Sequence, residues 1–103
     1  MAIIHRRTFY AKVGGAGPLV EHLREFGKLA AQYGLELDQR ILTDFQSGRT
    51  DRVVWEWEVE SMTELDMEAL VAGNQAAADA FSKWERTMNG MIEYAEVENW
   101  KVE

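Results

Sequence analysis

Two glutamates, Glu56 and Glu58, stand two residues apart in Arg52-Val-Val-Trp-Glu-Trp-Glu-Val-Glu60. On an extended strand such a pair projects from one face, with the two side chains about 7 Å apart. Carboxylates placed this way suit acid–base work if an enclosed setting raises the pKa of one of them. They also suit a structural ion-pair network, because His5, Arg6, Arg7 and Arg40 fall on other predicted strands and such networks are common. His5, Arg7, Arg40, Glu56 and Glu58 are the candidates for a polar cavity, and none of them carries an assigned catalytic role. Arg7 is expected to face the interior and pair with Glu56 or Glu58, and His5, Arg7 and Glu58 together form a candidate polar cluster.

Other chemistries find less support. A mononuclear metal site needs three or four ligands, with histidines paired at strand or helix spacing. His5 and His22 do not supply that, and His22 reads as lying beside the wet face of a helix. No metal and no cofactor are expected. Gly14-Gly-Ala-Gly17 precedes a helix, as a phosphate cradle would, but it has neither the G-x-G-x-x-G order nor a following lysine. A bend in the chain is the simpler reading. RNA-recognition modules also place aromatic residues on a third strand, yet here Trp55 and Trp57 alternate with glutamates instead of basic residues.

The elements that position these residues follow from periodicity. Val53, Trp55, Trp57 and Val59 fall on one side of a strand and Val54, Glu56, Glu58 and Glu60 on the other. Ser61-Met-Thr-Glu64 follows as a capping box that starts a helix over about 62–71. Upstream, Ile3 to Val13 reads as a first strand. A helix opens with Pro18 at its first position, carries Leu19, Leu23, Phe26, Ala30 and Tyr33 as an apolar stripe, and ends at Gly34. Leu35 to Phe45 reads as a second strand, closed by a polar hairpin loop over 46–51 with Gly48 as its bend. Gly73-Asn74 interrupts the second helix. Ala77, Phe81, Trp84 and Met88 then form another helical stripe, and Met91 to Val102 reads as a last strand with poor alternation. The order βαββαβ predicts an α+β, ferredoxin-like fold: a four-stranded antiparallel sheet with its helices on one face.

Of the four tryptophans, Trp55, Trp57 and Trp84 lie on apolar faces and read as core, whereas Trp100 reads as an interface residue. Length and charge set the outer bounds. A chain of 103 residues makes one domain, 1–103. Lys+Arg 11 against Asp+Glu 18 gives a net charge of −7, which disfavours nucleic acid and anionic membranes as partners. The absence of cysteine removes disulfides, iron–sulfur ligation and thiol catalysis. No apolar run approaches the roughly 20 residues of a membrane helix, and the first residues are too short in apolar content for a signal peptide. A cytoplasmic protein is expected.

Arg7-Thr-Phe-Tyr-Ala-Lys-Val-Gly14 resembles the opening Arg-x-Tyr strand of NIPSNAP-like domains, within the dimeric α+β barrel superfamily. Val53-Val-Trp-Glu-Trp-Glu-Val-Glu-Ser61 is similar to that group's strand-to-helix segment, and Ala76-Ala-Ala-Asp-Ala-Phe81 adds to the likeness. Phe9 stands where tyrosine is common and Val13 where proline is common. The resemblance implies a homodimer whose two sheets pack face to face and enclose a cavity, where a small organic ligand can sit. The biochemical role of such domains is undefined. Related barrels include cofactor-independent monooxygenases and isomerases acting on aromatic or polyketide-like substrates, which is the alternative reading, and fold alone does not choose between them.

Overall fold

The computed structural model describes residues 1–45 and 50–103. Its strands are β1 (Ile3–Ala11), β2 (Arg40–Thr43), β3 (Arg52–Val59) and β4 (Ile92–Lys101). The helices are α1 (Ala16–Gln32), α2 (Met67–Leu70) and α3 (Gln75–Asn89), with a 3-10 turn over Met62–Leu65. The strands form one antiparallel sheet in the order β2-β3-β1-β4. This is the expected α+β, ferredoxin-like arrangement.

Strand alternation sets the two faces of the sheet. Phe9 pairs in register with Val53, Arg7 with Trp55, His5 with Trp57 and Ile3 with Val59, so these eight side chains share the helix side. Phe9 and Val53 are fully buried there, together with Leu19 and Leu23 of α1. Phe26 and Ala30 of α1 and Ala77, Phe81 and Met88 of α3 complete the core. The opposite face carries Ile4, Arg6, Thr8 and Tyr10 of β1 against Glu58, Glu56, Val54 and Arg52 of β3. None of the described helices covers that face.

Several boundaries move for physical reasons. Helix α1 begins two residues before Pro18, which still lies in the first turn, where a backbone N–H has no intrahelical acceptor. Gly34 closes the helix at φ +83°, a left-handed conformation that favours glycine. The first strand stops at Ala11, and Val13 is 98% exposed. Of the predicted second strand, only Arg40–Thr43 joins the ladder. Leu35 and Leu37 pack on the core from the connecting segment, whereas Phe45 is exposed. The hairpin bend expected at Gly48 lies outside the described residues.

The capping box at Ser61 and Glu64 forms, but the helix it starts is a single 3-10 turn. Asp66 then sits in an extended conformation and caps a second start, its side chain accepting from the Ala69 backbone N–H. The predicted continuous helix over 62–71 is thus two short pieces. Asn74 caps α3 in the same way, through the Ala77 N–H.

Candidate ligand cavity

The five residues expected to share one cavity lie on opposite faces of the sheet. His5 and Arg7 are on the helix side; Glu56, Glu58 and Arg40 are on the uncovered side. The expected pairing of Arg7 with Glu56 or Glu58 does not occur, because Arg7 stands in register with Trp55, and Glu56 with Arg6. Arg6 Nε donates to Glu56 Oε2 at 2.6 Å and Arg40 Nε to Glu56 Oε1 at 2.9 Å, with Arg40 Nη2 also on Oε1. Glu56 is only 3% exposed. Burial pushes its carboxyl upward, but the hydrogen bonds and charges of Arg40 and Arg6 outweigh that and hold it below the usual carboxylate range. Glu58 is exposed and joins no cluster with His5. The uncovered face therefore holds a paired structural clamp.

The helix side holds a different arrangement. A cavity of about 200 Å³ lies between the sheet and the helices. Its walls are apolar: Trp55 and Trp57 from β3, Phe26 from α1, and Phe81 and Trp84 from α3 supply the aromatic half, and aliphatic side chains such as Leu35, Leu37 and Met67 close the sides. His5 and Arg7 supply the polar floor, and Glu85 stands at the edge.

The tryptophan walls are fixed by their own contacts. Trp55 Nε1 donates to Gln39 Oε1 at 3.1 Å, and Gln39 in turn donates to the Leu23 carbonyl at 3.2 Å. Trp84 Nε1 donates to the His22 carbonyl at 2.8 Å, while His22 Nε2 reaches the Trp84 carbonyl, also at 2.8 Å. The His22 and Trp84 rings stack 4.8 Å apart and nearly parallel. His22 is thus a buried strut joining α1 to α3, not a residue of the wet face. Trp57 meets Trp55 edge-on at 4.6 Å, so the anchored indole orients its neighbour.

On the floor, His5 Nδ1 lies 2.7 Å from Asn99 Oδ1 on β4. An amide oxygen only accepts, so the hydrogen resides on Nδ1 and the Nε2 lone pair is left to accept from Arg7 Nε at 3.2 Å. Burial lowers the His5 pKa; the Asn99 hydrogen bond opposes this and the Arg7 charge adds to it. The imidazole is neutral at pH 7. Burial also lowers the Arg7 pKa, with the Glu85 carboxylate acting against that through space. Chemically, the floor offers one guanidinium and one neutral imidazole to whatever fills the aromatic space. Among the described residues, no three His, Asp or Glu side chains are grouped as a metal ion would need.

The ion-pair network expected of the glutamates with Arg6 or Arg7 forms through Arg6. Two residues here were missed by sequence reasoning. Asn99 and Glu85 carried no signal that a single sequence displays: the first depends on the register of β4, the second on the rotation of α3.

No protein-family model matches the chain, and no curated protein does. Solved structures share its fold. An uncharacterised NIPSNAP domain protein from Burkholderia xenovorans superposes with a TM-score of 0.72 at 18% identity, covering 98% of this chain and 94% of its own. A NIPSNAP family protein from Agrobacterium tumefaciens gives 0.70 at 16% identity, over 98% and 92% of the two chains. SnoaB, a cofactor-independent oxygenase from Streptomyces nogalater, gives 0.69 at 8% identity, over 98% and 92%. The chain has the fold of NIPSNAP domains and of antibiotic biosynthesis monooxygenases. At these identities the likeness speaks to the fold.

Proposed function

We propose that this chain is a homodimeric ligand-binding protein, in which each subunit holds a small planar organic molecule between its sheet and its helices. The aromatic cavity carries this reading: three tryptophans and two phenylalanines are held around a polar floor, the composition ligand sites favour. About 200 Å³ is less than the roughly 300–1,000 Å³ of drug-sized pockets, which points to a molecule of one or two rings. Calorimetric titration with one- and two-ring aromatics tests it. Saturable binding that is lost in Met67→Trp, where the larger side chain fills the space, supports the reading; no binding across such a panel contradicts it.

The dimer rests on the uncovered sheet face. That face carries Leu42, Tyr94 and Trp100, which are 40%, 45% and 55% exposed. The molecule is a slab only 19 Å thick, with a radius of gyration of 14.1 Å against about 13 Å for a compact chain of this length. A second copy laid on the face supplies the missing layer and encloses the Arg6–Glu56–Arg40 clamp. Sedimentation at twice 11.8 kDa supports this; a stable monomer at micromolar concentration overturns it. A cytoplasmic location belongs to the same reading, and a chain without cysteine fits a reducing compartment.

The catalytic alternative, a cofactor-independent oxygenase, is favoured by one observation. His5 is neutral and oriented by Asn99, and its Nε2 would serve as a general base for a phenol or enol once the substrate hydroxyl replaces the Arg7 Nε–H bonded to it. Oxygen uptake with hydroxyaromatic substrates, abolished in His5→Gln, would convert the binding reading into an enzymatic one.

A further inference from the structure

We infer that the cavity selects a planar aromatic anion, with Arg7 as the group that recognises its charge. This deepens the binding reading above and rests on it. Arg7 is the one cation among the described residues lining the cavity. Its Nε is committed to His5 Nε2, and among the described residues its terminal Nη1 and Nη2 make no hydrogen bond and no ion pair. No buried side-chain nitrogen or oxygen of the described residues lacks a partner, so these amino groups are not sealed in the core.

The neighbouring groups strengthen the case. His5 is held neutral, so it adds no second cation. Its bond to Arg7 fixes the plane of the guanidinium, because Asn99 on β4 fixes the imidazole. Two carboxylates also line the cavity, and neither neutralises Arg7 by contact. Glu64 Oε2 is taken by the backbone N–H groups of Glu60 and Ser61, at 2.6 and 3.3 Å. Glu85 is exposed to water and acts on Arg7 only through space. A cationic ligand would stand beside a guanidinium already present. A neutral one would leave two strong donors facing an aromatic cavity. A carboxylate or enolate matches the flat fork of donors with paired oxygens, while its ring lies against Trp55, Trp57 and Trp84.

The probes are 2-naphthoate and its uncharged counterpart 2-naphthamide, titrated into the intact protein with binding read by quenching of tryptophan fluorescence. The carboxylate should bind about tenfold more tightly or better. That preference should disappear in Arg7→Gln. If that variant does not fold, Glu85→Gln serves, since it alters only an exposed position: loss of the opposing carboxylate should tighten 2-naphthoate binding several-fold and leave 2-naphthamide unchanged. Equal affinity for the two probes overturns the anion inference and leaves the aromatic cavity standing. A tighter amide, or a 2-naphthoate affinity unchanged in Glu85→Gln, also overturns it. Binding of neither probe removes both this inference and the reading beneath it.

Discussion

Replacing Glu56 with glutamine should destabilise the protein by about 2 kcal/mol. The carboxylate is 3% exposed and receives bonds from two arginines, one on each oxygen, which share its single negative charge. A neutral amide in its place would offer one acceptor oxygen and turn an N–H₂ group toward the second guanidinium. Breaking a fully buried ion pair costs about 3–5 kcal/mol. Here the arginine side chains are 34% and 66% exposed, so water partly compensates them and the cost falls below that range. For a domain of this size, a loss of about 2 kcal/mol lowers Tm by roughly 8–16 °C. Urea denaturation at fixed protein concentration measures the change directly. Adding Arg40→Met to Glu56→Gln should recover part of the loss, because the unpaired cation is then gone. A Glu56→Gln stability within about 0.5 kcal/mol of the parent, or strict additivity with Arg40→Met, would refute the clamp. In the same assay, Arg7→Met and Glu58→Gln should simply add, since the two side chains lie on opposite faces of the sheet.

Trp84→Ala should cost about 3 kcal/mol, near the low end for tryptophan truncation because the ring is only partly buried; it also removes the indole N–H that bonds the His22 carbonyl, and an unchanged melting curve would show that the strut is not structural. His5 gives a pH signature. Its folded pKa lies below the ordinary 6.5, so the unfolded chain takes up the proton first as pH falls. Stability should be level above about pH 6.5 and decline below it, and His5→Gln should flatten that part of the profile; an identical decline in the variant would assign the effect elsewhere.

The fold was legible because its signals are local. Val53, Trp55, Trp57 and Val59 fall on the helix side as their spacing suggests, the Ser61 capping box forms, and Asn74 caps α3 as its position suggests. The cavity was legible only in part. On β1 the parity is ambiguous: Ile3 and Ile4 are both aliphatic, Arg6 and Arg7 both basic, Phe9 and Tyr10 both aromatic. Shifting that strand by one residue exchanges every side chain between faces, which is how Arg7 came to be paired with the glutamates that Arg6 serves. Strand β4 hides its register for another reason. It is an edge strand in contact with β1 and mostly exposed, so little burial disciplines its pattern. A bulge where Tyr10 gives way to Ala11 shifts the pairing once more. Asn99 could not be placed beside His5 without that register. The short pieces after Ser61 reflect competition between two caps, Ser61 and Asp66, too close together for one helix.

On the function proposed above, ligand enters the space between sheet and helices and not the uncovered face. Heteronuclear NMR of the tryptophan indole N–H groups separates the two. Trp55, Trp57 and Trp84 line the cavity, and Trp100, bonded to Glu98, reports the uncovered face. Titration with a two-ring aromatic should give saturable shifts in the three cavity indoles and leave the Trp100 resonance stationary. Shifts confined to Trp100, or no saturable shift in the other three, would contradict that function.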